Sequence, residues 1–355
     1  MSDIQCRIDG RVGRVTLNRP QALNALTHDM CLDLERALLA WRDDPQVGHV
    51  VIDGAGARAF CAGGDITRLY EAGLEHDAKY GRRFWRDEYL LNALIHDYPK
   101  PYIAIMHGFV MGGGVGVAAH GSHRIVTDTT RLAMPECGIG LVPDVGGSLL
   151  LAQAPGYLGE CLGLTGHRMT AADSLYAGFA DAYVPEDRIA ALISDLVASN
   201  VANGVDADGE DAVGEHIGAI IARHAEPAGD SMLAAHIDDI NAVFGASDII
   251  TIRSRLDAHD VLSAAFPRMA GGMAAGSPIA LAATAALVQA VRAAPTMETA
   301  LDMEYRFTHR WLESTDFIEG IRAAVIDKDH APRWRHDDVA AVPAALIEGL
   351  LAPLD

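Results

Sequence analysis

Residues 4–17 alternate apolar and polar side chains around Asp9-Gly10, which predicts a hairpin of two strands, Ile4 to Ile8 and Val12 to Leu17. Beyond the Asn18-Arg19-Pro20 turn, Leu23, Leu26, Met30, Leu34, Ala37 and Leu38 recur at helical spacing and predict a helix up to Trp41. "VGHVVIDGAG" reads as a buried strand that ends in a glycine loop. A long amphipathic stretch from Ile66 to about Asp97 follows, stopped by Pro99 and Pro101. "PYIAIMHG" is a second buried strand, "FVMGGGVGVAAHG" passes from a glycine turn into a small-residue helix, and "HRIVTDTTRLAMPE" supplies two short strands. Strands that alternate with helices predict an α/β fold over residues 1–190.

From about residue 190 the pattern turns helical and acidic, which divides the chain into a core, 1–190, and a mainly helical C-terminal region, 191–355. In that region "GVDADGEDAVGEH" predicts a solvated loop or helix start. Residues 269–278 predict a turn, and Ile279 to Val291 a core helix too short to span a membrane.

At 355 residues and 50% hydrophobic, the chain can bury a large core. A net charge of -20 with no basic cluster argues against nucleic acid as a partner, but leaves room for an anionic small ligand held by a few local donors. The first residues lack an apolar signal core and an acid-free, Arg-rich amphipathic pattern, so a cytoplasmic protein is expected, with no membrane partner. Five scattered cysteines without C-x-x-C spacing read as small core residues. His107, His120 and His123 form no metal signature, and the phosphate-loop, nucleophile-elbow and H-E-x-x-H patterns do not occur.

Two features remain that carry chemistry. Cys61-Ala62-Gly63-Gly64-Asp65 and Met111-Gly112-Gly113-Gly114-Val115-Gly116 are glycine-rich turns, each after an apolar strand. Brought together, such turns present two backbone N–H donors to one oxygen, as an oxyanion hole requires; apart, they only permit tight turns and close packing. Second, "AMPECGIGLVPDVGGS" sets Glu136 and Asp144 in an otherwise uncharged run. A buried carboxylate needs a partner or a proton, so each acid has either a chemical task or a capping role.

These stretches, together with "VTLNRPQALNAL", "GAGARAFCAGGDI" and "KPYIAIMHGFVMGGGVGVAAHGSHRIVTD", resemble the enoyl-CoA hydratase/isomerase (crotonase) superfamily. "FWRDEYLLN", "LTGHRMTAAD", "MEYR" and "DFIEGIRAAVIDKDHAPRW" extend the resemblance toward its 3-hydroxyisobutyryl-CoA hydrolase branch. The resemblance implies a spiral of ββα units, with a helical C-terminal region that covers the site or joins copies into a homo-oligomer. It also implies an acyl-CoA substrate whose thioester carbonyl lies between the amides of Gly64 and Gly113. Ala22 to Leu26, with Ala22 and Leu23 foremost, and Ala62 to Thr67, which includes Gly63, Asp65 and Ile66, match the segments that accept CoA.

In the superfamily's hydratases, two glutamates hold one water. One matches Glu136, but the other falls on Gly116 here, so hydration lacks half its acid/base pair. Asp144 matches the aspartate of the hydrolase branch. The resemblance thus implies thioester hydrolysis: Glu136 attacks the carbonyl carbon or activates a water, and Asp144 orients water or the substrate hydroxyl. Glu88 matches a substrate-contacting glutamate that meets the short hydroxyacyl end, with a solvated residue on the polar helix face "RDEY" as the alternative. Arg19 and Lys328 read as surface charges before phosphate ligands. This chemistry requires no metal or redox cofactor, because backbone donors do the polarising.

Overall fold

The computed structural model describes residues 2–199, 212–313 and 315–354. Nine strands, in chain order, are β1 (Ile4–Asp9), β2 (Val12–Leu17), β3 (His49–Gly54), β4 (Ala59–Cys61), β5 (Tyr102–Met106), β6 (Phe109–Met111), β7 (His123–Val126), β8 (Arg131–Ala133) and β9 (Ala182–Tyr183). They make a six-stranded sheet in the order β1-β2-β3-β5-β7-β9 and a three-stranded sheet in the order β4-β6-β8. Only β1 runs antiparallel in the large sheet, paired with β2 across the predicted hairpin. From β3 onward the chain lays one strand in the large sheet and the next in the small one, turn after turn. That is the ββα spiral implied by the resemblance. β3 and β5 are buried on both faces, which is why they read as unbroken apolar runs.

Contacts group the chain into two compact units that interleave along it. The first comprises Met1–Gly64, Leu90–Leu132 and Met169–Ser231, the second Asp65–Tyr89, Ala133–Arg168 and Met232–Asp355. The serial division at 190 follows the last strand, which ends at Tyr183, whereas the compact units follow contacts between distant segments. In the first unit, Val51, Ile103, Ile105 and Ile125 pack against Leu192, Leu196, Ile217 and Ile221 of the helices Ile189–Ala198 and Ala212–His224. In the second unit, the predicted core helix is Pro278–Ala293, capped by Ser277 with proline in its first turn. The same unit holds an aromatic cluster: Trp85 lies 5.7 Å from both Trp311 and Phe317 between ring centroids.

Several local predictions are corrected. The helix expected from Leu23 begins at His28, because Leu23 and Asn24 adopt left-handed backbone and Thr27 caps the first turn through Met30 N–H. Leu26 instead pairs with the first glycine turn, bridging Gly64. The long helix expected from Ile66 to Asp97 is two helices, Thr67–Leu74 and Ala78–His96, broken where His76 is left-handed and Asp77 accepts from Lys79 and Tyr80 N–H. Residues 269–278 form not a turn but the helix Met269–Ala275, followed by the Ser277 cap. In "GVDADGEDAVGEH" residues 204–211 lie outside the described residues, and the remainder opens the helix Ala212–His224. Four cysteines are buried as expected, but Cys6 is exposed on β1.

Candidate active site

In the first unit, β4 and β6 run parallel with Cys61 opposite Val110, so the two glycine turns leave adjacent strands at the same end. Gly63 takes φ +115° and Gly112 φ 50° with ψ -122°, conformations that a side chain would strain. A Cβ on Gly114 would stand 2.3 Å from the Cys61 carbonyl oxygen, so glycine there is what lets the turns approach. Gly113 opens the short helix Gly113–Gly116, whose first amides have no intrahelical acceptor. Among the described residues, neither Gly64 nor Gly113 donates its N–H to a protein acceptor. Gly114 thus serves close packing and Gly63 and Gly112 the turn conformation, and the N–H groups of Gly64 and Gly113 are left without a protein acceptor among the described residues.

The two segments matched to CoA binding also meet in this unit. Ala62 N–H donates to Leu23 carbonyl at 3.0 Å and Leu26 N–H to Gly63 carbonyl at 2.9 Å. Asn24, buried between them, accepts from Arg19 N–H and donates to the Ala55 and Ala59 carbonyls. It holds the left-handed Leu23-Asn24 bend in place. Ala22 closes the single 3-10 turn Pro20–Ala22 just before that bend. Arg19 is occupied structurally, with its guanidinium on the Ala25 carbonyl at 2.6 Å and near Asp3. Asp65 and Ile66 begin the second unit. There Asp65 accepts from Thr67 N–H at 3.3 Å, and Ile66 is the residue that enters the helix Thr67–Leu74.

The second unit holds the acids. Glu136 starts the 3-10 turn Glu136–Ile139 and is 4% exposed, and its Oε2 atom is buried without a hydrogen-bond partner. Asp144 is equally buried. It does not cap the following helix, whose cap is Gly146; instead it accepts from the Tyr89 hydroxyl at 2.9 Å. Glu88, adjacent to Tyr89 on the helix Ala78–His96, is 2% exposed with Oε1 unpartnered, which removes the solvated-face explanation. The helical spacing that puts Phe84, Trp85, Glu88 and Tyr89 on one buried face carries this acid inward.

Burial is the main cause of raised pKa values throughout this group. Glu136 is pushed well above the ordinary carboxylate range by burial, then by the neighbouring charges of Asp144 and Glu304. Glu88 is pushed up by burial and then by Asp144. Asp144 rises to about 7 through burial, held back by the hydrogen bond from Tyr89. Of Glu88 and Asp144, Asp144 ionises the more readily, because the Tyr89 hydroxyl donates to it. Acids so arranged cannot all ionise near neutrality, and their titrations belong to the set, not to single residues.

The sequence reading missed two members of this group. Glu304, in the helix Met297–His309, is fully buried and its pKa is raised to about 8, first by burial. Its signal was present in "MEYR": helical spacing from Ala300 and Phe307, both buried, places an acid on the core face. Tyr89 is buried and provides the hydroxyl on Asp144, but nothing in its local sequence marks it out.

The enoyl-CoA hydratase/isomerase family matches residues 12–351. A zebrafish (Danio rerio) protein named 3-hydroxyisobutyryl-CoA hydrolase, mitochondrial, is 37% identical over 98% of this chain and 88% of its own length. Its human (Homo sapiens) counterpart is 38% identical over 94% of this chain and 84% of its own. Among solved structures, one described as an enoyl-CoA hydratase from Rhodobacter sphaeroides matches with a TM-score of 0.90 at 45% identity, covering 99% of this chain and 98% of that one. One described as a carnitinyl-CoA dehydratase from Mycobacterium thermoresistibile also scores 0.90, at 42% identity, covering 100% and 98%. The expectation of a cytoplasmic protein is overturned, since these curated relatives are named as mitochondrial. It had rested on a missing leader pattern, and the physical chemistry of a folded chain does not encode its compartment. Matched along nearly its whole length by a family profile, by curated relatives and by solved structures, the chain belongs to the enoyl-CoA hydratase/isomerase family.

Proposed function

We propose that this protein hydrolyses the thioester of 3-hydroxyisobutyryl-CoA, or of a close short 3-hydroxyacyl-CoA, to the free acid and CoA, a step of valine breakdown. The observation that carries this reading is the unpartnered, buried carboxyl oxygen of Glu136 in the same unit as the Tyr89-bound carboxylate of Asp144. Full-length relatives named for this hydrolysis support it. The Gly64 and Gly113 amides serve the carbonyl oxygen, where negative charge grows as the carbon is attacked; fixed donors stabilise it without reorganising. Glu136 acts on the carbonyl carbon, either as the nucleophile that forms an anhydride and expels CoA, after which water cleaves the anhydride to release the acid and restore Glu136, or as the base that takes a proton from the attacking water. Asp144, whose pKa of about 7 lets it take or give a proton near neutrality, assists transfer to the leaving thiolate or orients the water. Glu88, kept neutral by burial, offers a hydrogen bond to the hydroxyl of the acyl group.

A second reading is enoyl-CoA hydration, favoured by the descriptions of the two solved structures. Against it stands Gly116, buried in the helix Gly113–Gly116, where a hydratase of this family needs its second acid. One assay separates them. Pure protein mixed with 3-hydroxyisobutyryl-CoA and a thiol reagent releases free CoA if the proposal holds. A change in enoyl absorbance with crotonyl-CoA, with no thiol released from the hydroxyacyl substrate, would replace it with the hydratase reading.

A further inference from the structure

Directly after Asp144 the backbone does something a valine rarely does. Val145 sits at φ 57° and Gly146 at φ 75°, two successive left-handed residues, before Gly147 starts the helix Gly147–Gln153. Gly146 suits that conformation. Val145, β-branched and 1% exposed, does not, and such a residue persists only where its surroundings over-determine it.

Glu304 holds the residues that follow Val145. From the helix Met297–His309, its carboxylate accepts from Gly146 N–H at 2.8 Å, from Ser148 N–H at 3.1 Å and from the Ser148 hydroxyl. All three donors lie within the turn that follows Asp144, and all are buried. One helical turn later, Thr308 stands 3.4 Å from the Tyr89 hydroxyl, the group that donates to Asp144. A single helix therefore holds the backbone beside Asp144 with one residue and touches the donor on its side chain with another.

We propose that Glu304 is a positioning residue: its carboxylate clamps the Val145–Ser148 turn in the left-handed form and so fixes the Asp144 carboxylate against Tyr89. The role rests on the hydrolase reading only for its kinetic consequences. The clamp is also part of the titrating set: burial and then the charge of Asp144 raise the pKa of Glu304, and Glu304 in turn adds to the rise at Glu136. The titratable groups that face this region are Glu88 and Tyr89 on the helix Ala78–His96, Glu136 on its 3-10 turn, Asp144, and Glu304 itself.

The test is Glu304→Gln in the full-length chain. Gln keeps the volume, but its amide nitrogen faces donors and one clamp contact is lost. The expected result is a kcat lower by about 10- to 10²-fold, the usual cost of a slightly misplaced group, with KM little changed. The acid limb of the kcat profile should also move to higher pH, because an Asp144 released from the clamp loses hold of the Tyr89 hydroxyl that lowers its pKa. Val145→Gly in the Glu304→Gln background should recover part of the lost kcat, since glycine takes the left-handed form without the clamp. Wild-type kcat and an unshifted limb in Glu304→Gln overturn the proposal, as does a double variant no better than the single one. Should Glu304→Gln not fold, Ser148→Ala removes one clamp donor: a lower kcat at constant KM supports the role, and a wild-type kcat overturns it. If the wild type releases no CoA, the function fails and not the clamp. The clamp is then read by NMR titration of the Asp144 carboxyl carbon, which should move to higher pH in Glu304→Gln and overturns the role if it stays.

Discussion

The hydroxyl of Tyr89 donates to Asp144 Oδ2 at 2.9 Å inside a unit from which both side chains exclude almost all water. That bond decides which of these two neighbouring acids, Asp144 or Glu88, ionises the more readily. It favours the ionised form of Asp144 against the burial that raises its pKa, while Glu88, one residue before Tyr89, has no such donor and stays neutral.

Tyr89→Phe should therefore raise the pKa of Asp144 further and move the acid limb of the kcat profile to higher pH, the direction also expected for Glu304→Gln. Losing a buried hydrogen bond to a charged group also costs about 1.5–3 kcal/mol of stability. Turnover measured across pH, with thermal unfolding beside it, checks both; an unchanged limb would separate Tyr89 from the chemistry.

Glu136→Gln keeps the shape of the side chain and removes its ability to attack or to take a proton. Turnover should fall by at least about 10²-fold, with acyl-CoA still bound. Near-normal turnover would assign the attack to another group.

Gly112→Ala tests the donor pair without touching a donor. Alanine disfavours φ 50° with ψ -122°, so the turn must shift and carry the Gly113 amide with it. The expected loss is about 10²-fold in kcat, the size seen when one oxyanion donor is removed, with a Tm lower by the cost of about 1–3 kcal/mol of backbone strain. Wild-type kcat accompanied by a lowered Tm would make these glycines structural only.

The buried acids also predict how stability depends on pH. Asp144 and Glu304 titrate at about 7 and about 8 in the folded protein, against ordinary values of 3.8 and 4.5. Between those limits the folded chain holds protons that the unfolded chain has released, so stability falls as pH rises through the window. Asp144→Asn cannot ionise. Its Tm relative to wild type should be lowest near pH 4 and should rise steadily toward pH 8; a difference that stays constant over that range would show that Asp144 is not a raised acid.

Periodicity alone determined the hairpin at the start, the strands β3, β5 and β7 of the large sheet and the core helix at 278–293, though not the two-residue β9, because a buried parallel strand or a core-facing helix must write its burial into consecutive or regularly spaced apolar residues. The same logic made Glu136 and Asp144 conspicuous, since acids in an apolar run are rare. Periodicity failed at Leu23 and Leu26 because two leucines three apart are apolar for either a helix or a bridge. What settled the matter was the left-handed Leu23-Asn24 bend and the bond from Leu26 N–H to Gly63, a residue far along the chain. The sequence could mark Glu88 as an acid on a helix but not as a buried one.

Only the tertiary structure decided that Tyr89 holds Asp144, that Glu304 clamps the turn beside it, and which glycines serve packing and which leave an amide to donate. Each of these depends on the meeting of segments separated by tens to more than a hundred residues, and no local pattern records such a meeting. Composition and spacing determine what a residue can do; the packed chain determines what it is next to, and for a carboxylate out of water its neighbours set the charge it carries.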